Sequence, residues 1–175
     1  MTFRYCPQCA AELQWIERPE DGGPKTRLRC PACDFSHWDN PTPVLAAVVE
    51  CVDREGQVLL ARNAAWPMRF FGLITGFMEA GETPEEGIRR EVLEETSLQA
   101  LGCELIGVYD FQKKNQVIIA YHVPARGDIQ LSPELIEYTL TPPEQLECWP
   151  AGTGQALADW LVRRGITPRW MPPRT

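Results

Sequence analysis

Three glutamates at helical spacing are the residues of this sequence best suited to chemistry. Glu91 precedes Glu94 by three positions and Glu95 by four, so on a helix their side chains are neighbours. Three like charges at the edge of an apolar face repel one another, and a bound cation would relieve this repulsion. Oxygen ligands favour hard ions, which predicts magnesium or manganese here. The alternative is a solvated acidic face, which we accept for Glu85 and Glu86, where acids meet the positive end of the helix dipole.

Two tight cysteine pairs near the start of the chain form a second candidate metal site. Cys6 and Cys9 are followed, after twenty residues, by Cys30 and Cys33. Two such pairs supply four thiolates to one zinc ion, and a site with no open position is structural. A redox dithiol is the alternative, but neither pair precedes a helical pattern. His37 could be a substitute ligand, although packing at the domain junction explains it as well.

The glutamates need a helix to hold them, and the sequence predicts one over Pro84–Thr96. Thr83 and Glu86 form a capping box, with proline at the first helical position. Strands are predicted on both sides of this helix, and another helix closes the chain. Such an order in one domain indicates a mixed sheet with helices on its faces. The predicted strands are 44–52, 57–62, 103–111 and 116–123, and the closing helix is 156–164.

The loop before the helix carries the most specific motif. Gly76, five residues, Glu82, seven residues and then Arg90-Glu91-Val92-Leu93-Glu94-Glu95 closely resemble the Nudix box. Ser97 departs from the pattern, which has a glycine at this position to end the helix. The resemblance implies an α/β fold, the Nudix α/β/α sandwich with a mixed sheet, over residues 40–175. A small zinc ribbon, residues 1–39, precedes it.

The Nudix resemblance also implies roles for these residues. Glu91, Glu94 and Glu95 would bind Mg²⁺ or Mn²⁺ with the Gly76 carbonyl, and Arg90 would orient the carboxylates by pairing with Glu82. One glutamate would act as base on the attacking water. Many family members add a later carboxylate. The candidates here are Glu134 and Glu137, and a surface role is an equal alternative for each.

The implied activity is metal-dependent hydrolysis of the pyrophosphate linkage of a nucleoside diphosphate derivative, with release of a nucleoside monophosphate. Stacking and phosphate contacts would come from aromatic and basic side chains, although each is also explained by core packing or surface charge. The aromatic candidates are Trp66, Phe70, Tyr109, Phe111 and Tyr121, and the basic ones are Arg62, Arg69, Lys113 and Lys114.

Two groups of ribbon-bearing Nudix enzymes are similar to this chain. NADH pyrophosphatases carry a Ser-Gln-Pro-Trp-Pro-Phe-Pro segment after the box, which residues 107–116 lack. The junction His37-Trp38-Asp39-Asn40-Pro41 resembles that of hydrolases of ADP-ribose and FAD, which favours those substrates. One competing hypothesis is a non-catalytic module that senses a nucleotide and whose ribbon binds a partner or nucleic acid. Another is removal of a nucleotide cap from RNA by the same chemistry, which the acidic charge of the chain does not support.

The composition and charge of the chain limit the classes of partner that it is expected to bind. The 175 residues carry a net charge of −7, and residues 1–39 hold five basic and six acidic side chains, which argues against nucleic acid. No apolar run is long enough to span a membrane, and no signal peptide is evident. We therefore expect a cytoplasmic enzyme with a small nucleotide substrate and no membrane partner. A homodimer is implied only by the resemblance.

Overall fold

A computed structural model describes residues 3–172, and the chain divides between Asn40 and Pro41 into two compact units. The first unit is a three-stranded antiparallel sheet, in order β1–β2–β3, above a small core. The core consists of Leu13, Leu28, Cys6 and Cys30, with Phe35 beside it. The strands are β1 (Gln14–Glu20), β2 (Gly23–Arg29) and β3 (Ser36–His37).

The second unit contains a seven-stranded mixed sheet. Its centre is a parallel pair, β4 and β9, and all other pairings are antiparallel. Its elements are β4 (Thr42–Cys51), β5 (Gln57–Asn63), β6 (Ile74–Phe77), α1 (Pro84–Thr96), β7 (Gln99–Ala100), β8 (Glu104–Phe111), β9 (Gln116–Arg126), β10 (Leu135–Thr141) and α2 (Thr153–Arg163). Short helical turns cover Gln112–Lys114 and Pro143–Gln145, and β11 (Glu147–Cys148) pairs with β12 (Arg169–Trp170).

The two helices cover opposite faces of this sheet. Alternate residues of β4 point to opposite sides, as a strand requires. Leu45 packs with Ile88 and Val92 of α1, whereas Ala46 packs with Leu157 of α2. The unit is therefore the α/β/α sandwich with a mixed sheet that the sequence predicts.

Helix α1 has the predicted bounds, whereas α2 begins three residues before the predicted Ala156. Glycines at 152 and 154 weaken the helical signal there. Gly154 is nevertheless required, because a Cβ would overlap the Trp149 carbonyl. Strand β10, which pairs with β5, is not among the predicted strands. Across the described residues, no helix is long and apolar enough to cross a membrane.

Candidate active site and cysteine cluster

The start of α1 is fixed by the predicted capping box. The Thr83 hydroxyl accepts from the Glu86 amide at 3.2 Å, and the Glu86 carboxylate accepts from the Thr83 amide at 2.8 Å. The Tyr121 hydroxyl donates to Glu85 at 2.9 Å. Because the first turn is held in this way, the rotation of the helix is set, with Ile88 and Val92 buried against the sheet.

The end of α1 adopts the left-handed conformation that the glycine of the Nudix pattern would favour. Ser97 takes this role with φ at 60°, and its amide donates to the Leu93 carbonyl at 2.8 Å. The Ser97 hydroxyl reaches the Gln130 carbonyl at 3.3 Å. A side chain in this conformation costs about 1 kcal/mol, so the departure changes the energy of the helix end rather than its geometry.

Arg90 connects three carboxylates with the loop before the helix. Its Nε and Nη2 donate to the two oxygens of Glu82 at 3.0 and 2.9 Å. Its Nη1 donates to Glu91 at 2.8 Å and to Glu94 at 3.1 Å, and Nη2 also reaches the Phe77 carbonyl. The Arg90 hydrogen bonds hold the pKa of Glu82 below its usual value, whereas that of Arg90 is raised. Glu82 is thus an anchor for Arg90, held in its charged form.

Glu91 and Glu95 are under the opposite electrostatic influence. Glu95 is buried, and its pKa is raised to about 7, first by burial and then by the charges of Glu91, Glu134 and Glu94. The Thr75 amide donates to Glu95 and opposes this shift. Burial likewise raises the pKa of Glu91, against the effect of Arg90. Two partly uncompensated carboxylates therefore lie side by side on α1.

Gly76 on β6 lies directly against the Glu91 carboxylate. A Cβ at position 76 would overlap the carboxylate atoms, so the close approach requires glycine. The backbone of β6 thereby adds peptide groups beside the Glu91 and Glu95 carboxylates. This all-oxygen donor set with excess negative charge fits a hard divalent cation. The carboxylate oxygens of Glu91, Glu94 and Glu95 do not form a close cluster of three ligands. Glu94 is exposed and accepts a hydrogen bond from Arg90.

The two downstream glutamates have different surroundings. The charge of Glu134 raises the pKa values of Glu91 and Glu95, so Glu134 acts electrostatically on the α1 carboxylates. Glu137 instead pairs with Arg69 at 2.5 Å and with Arg62 at 3.8 Å. Only Glu134 is brought into the electrostatic surroundings of Glu91 and Glu95.

An aromatic cleft of about 710 Å³ lies on the α2 face of the sheet. The ring centroids of Trp66 and Phe70 are 5.4 Å apart, and Phe70 meets Trp149 edge-on at 5.1 Å. Charged side chains in the lining come from Lys113 and Lys114. The size and the apolar walls suit a planar ligand, and the lysines suit an anionic one.

The predicted contact residues divide into those inside and those outside this cleft. Three predicted aromatic residues, Trp66, Phe70 and Phe111, line it with both lysines. The Tyr109 hydroxyl donates to Asp159 of α2 at 2.7 Å, and Tyr121 is buried. Within the described part of the chain, the lining includes neither tyrosine and neither Arg62 nor Arg69. Trp149 also lines the cleft but is not among the predicted contact residues, since it lies in a loop with no motif around it.

The four predicted cysteines converge in the first unit. The Cys6–Cys33 and Cys9–Cys33 sulfurs are 3.6 Å apart, the Cys9–Cys30 sulfurs 3.4 Å, and all four atoms lie within 4.8 Å of one another. Four sulfurs about 2.3 Å from one zinc ion are about 3.8 Å apart, so the cluster fits tetrahedral zinc. His37 is not part of it and lies 3.6 Å from Asp39.

Comparisons with known proteins agree with this geometry. The sequence profile described as the NUDIX domain matches residues 41–163. The NAD-capped RNA hydrolases NudC of Pseudomonas aeruginosa and Vibrio cholerae are 26% and 28% identical, over 68% and 69% of this chain. These matches cover 40% and 41% of those proteins, so the chain spans less than half of their length.

A solved structure matches nearly the whole chain. The crystal structure of a NUDIX hydrolase from Nitrosomonas europaea superposes with a TM-score of 0.72 at 26% identity, covering 97% of both chains. The profile covers well over half of the sequence and includes the motif, the capped helix and the sheet that carries them. This chain therefore belongs to the Nudix family.

Proposed function

We propose that the chain is a Nudix pyrophosphohydrolase that uses magnesium or manganese to cleave a nucleoside diphosphate derivative into a nucleoside monophosphate and a second phosphate product. The observation that carries the proposal is a pair of neighbouring carboxylates on α1, buried Glu95 and partly buried Glu91, whose pKa values burial raises and which lie against the backbone of β6 beside an aromatic cleft. The names of the NudC relatives and the Nitrosomonas europaea structure support hydrolysis.

The metal ligands in this proposal are Glu91, Glu94, Glu95 and the Gly76 carbonyl. When bound, magnesium would neutralise the pyrophosphate charge and lower the pKa of a coordinated water. Arg90 keeps Glu91 in place through its ion pairs and is itself held by Glu82. One of the carboxylates, with Glu134 among the candidates, takes the proton of the attacking water.

The substrate in this proposal spans two faces of the sheet at β6. Thr75 lines the aromatic cleft on the α2 face, whereas its neighbour Gly76 touches Glu91 on the α1 side. A base stacked on Trp66 and Phe70 would therefore have its phosphates led past β6 towards the carboxylates. Lys113 and Lys114 would attract the anionic substrate along the same cleft.

In this proposal, residues 1–39 are a zinc ribbon, in which one Zn²⁺ is held by Cys6, Cys9, Cys30 and Cys33. The sulfur distances support this assignment. Four thiolates leave no position for a substrate or water, so the ion is structural. Residues 40–175 are the hydrolase domain.

The substrates that we favour are dinucleotides similar to ADP-ribose or FAD, with NADH as a further member of the class. The names of the NudC relatives add a second candidate, an RNA that carries an NAD cap. The net charge of −7 favours the small dinucleotides, because RNA phosphates need basic side chains.

A substrate panel tests the proposal. The full chain is incubated with ADP-ribose, FAD, NADH and a short NAD-capped RNA, with magnesium and with magnesium plus chelator. We expect metal-dependent release of AMP from at least one dinucleotide, and loss of release with chelator. Tight nucleotide binding without any turnover would reject hydrolysis in favour of the non-catalytic sensor.

A further inference from the structure

The loop between β5 and β6 forms one wall of the aromatic cleft. This stacking loop, residues 64–72, contributes Trp66, Pro67, Met68, Phe70 and Gly72 to the lining. Its far end is closed on β5 by two hydrogen bonds of 2.9 Å between Ala61 and Gly72. Backbone hydrogen bonds therefore fix the base of the loop, whereas the residues nearer its tip carry the aromatic rings that line the cleft.

The near end of the loop is bound to the chain just before β10. The Ala64 amide donates to the Glu134 carbonyl at 2.8 Å, and the Ala65 amide to the Asn63 side chain at 2.8 Å. Glu134 thus holds the near end of the loop through its backbone carbonyl. The segment just before β10 therefore anchors the near end of the stacking loop.

A second attachment lies nearer the tip. Arg69, between the cleft residues Met68 and Phe70, pairs with Glu137 of β10 at 2.5 Å. Since Arg69 is directed to β10, its neighbour Phe70 is directed into the cleft, where it contacts Trp66 and Trp149. The ion pair fixes the point from which Phe70 projects.

Glu137 reaches Arg69 because of a β-bulge. Leu135 pairs with Asn63 and Glu137 with Arg62, so the register shifts by one residue between them. In a regular strand, residues 135 and 137 would share a face, whereas the bulge sends Leu135 into the core beside α1 and Glu137 towards Arg62. The bulge therefore determines the direction of the Glu137 side chain.

We infer that Glu137 is a positioning residue for substrate stacking, acting through Arg69, rather than a metal ligand or a catalytic residue. One carboxylate between two guanidinium groups is held in place by Arg62 and holds Arg69. Its effect should therefore be on the binding of the base and not on the chemical step. The inference rests on the proposed function, because it takes the aromatic cleft as the base site.

A double-mutant cycle of Arg69→Gln, Glu137→Gln and the combined variant tests this inference. KM and kcat are measured on the dinucleotide with the highest turnover, and the Kd of AMP by calorimetry on metal-free protein. We expect each single variant to raise KM and the Kd about fivefold, with kcat within about twofold, as for a partly exposed ion pair. The double variant should be no worse than either single one. Glu12→Gln, which breaks the exposed Arg4–Glu12 pair, is the matched control.

Several results would overturn the inference. Unchanged KM and Kd in both single variants, or fully additive effects, would show that the pair does not position the loop. A loss of kcat of about a hundredfold or more in Glu137→Gln alone would place Glu137 at the reacting groups. The proposed function fails separately, if the wild-type protein binds AMP but hydrolyses no dinucleotide.

Discussion

The cysteine cluster and the carboxylates of α1 are two candidate metal sites with opposite relations to the fold. In the first unit the core is small, and two of its four buried residues, Cys6 and Cys30, belong to the candidate metal ligands. In the second unit, α1 is held by a capping box and a large core, while burial raises the pKa values of Glu91 and Glu95. We therefore expect a bound metal to stabilise the fold of the first unit, whereas the fold of the second unit positions its candidate metal ligands.

The largest expected effect comes from the cysteines. Cys30→Ser, or zinc removal by a strong chelator, should unfold the first unit, because structural zinc contributes about 10 kcal/mol or more to such small modules. The backbone amides of residues 3–40 should lose their protection from hydrogen exchange, while those of residues 41–163 keep theirs. If the amides of the first unit stayed protected from exchange after complete zinc removal, the fold of this unit would not depend on the metal.

Glu95→Gln should have the opposite combination of effects. Activity should fall about a thousandfold, the loss expected when a charged group that acts on the transition state is removed. The metal-free protein should nevertheless become more stable by about 2–3 kcal/mol at pH 7, because a neutral amide avoids the cost of burying a negative charge, the cost that raises the pKa of Glu95 to about 7. Steady-state kinetics and urea unfolding measure the two effects. Reduced stability would show that the charged form is favoured in the fold.

The pH dependence of stability tests the same electrostatics without metal. A carboxyl group whose pKa is near 7 folded and near 4.5 unfolded binds protons more tightly in the folded state. Its contribution is fully present below pH 4.5 and is lost as the pH rises from 4.5 to 7. The unfolding free energy of the wild type relative to Glu95→Gln should therefore fall over this range. A flat difference across pH 4–8 would contradict the raised pKa.

Gly76→Ala separates the site from the fold within the second unit. The new Cβ would displace the flexible Glu91 carboxylate, so activity should fall about a hundredfold while the unfolding free energy changes by less than about 2 kcal/mol. Gly102→Ala is the matched control, since nothing lies within 4 Å of a Cβ there. Equal kinetics in the two variants would show that the contact between Gly76 and Glu91 is dispensable.

The parts of the site that sequence could predict depend on local signals. Thr83 and Pro84 fix the start of α1 from neighbouring residues, and the Nudix spacing pairs Glu82 with Arg90, as the structure does. Sequence could not distinguish Glu134 from Glu137, because the difference depends on a bulge against β5. Trp149 joins the cleft only through the fold.

The smallest expected effect is at the end of α1, where the chain departs from the family pattern. Ser97→Gly should relieve the left-handed strain and stabilise the protein by less than about 1 kcal/mol, since the hydrogen bond to the Gln130 carbonyl is lost at the same time. Ser97→Ala keeps the Cβ and loses only the hydroxyl, so it should destabilise, and the difference between the two variants isolates the backbone term. Urea unfolding of both variants measures it. If Ser97→Gly were no more stable than Ser97→Ala, the left-handed backbone at position 97 would carry no energetic cost for a side chain. The glycine of the Nudix pattern would then have a role other than ending the helix, and the end of α1 would not contribute to holding the carboxylates.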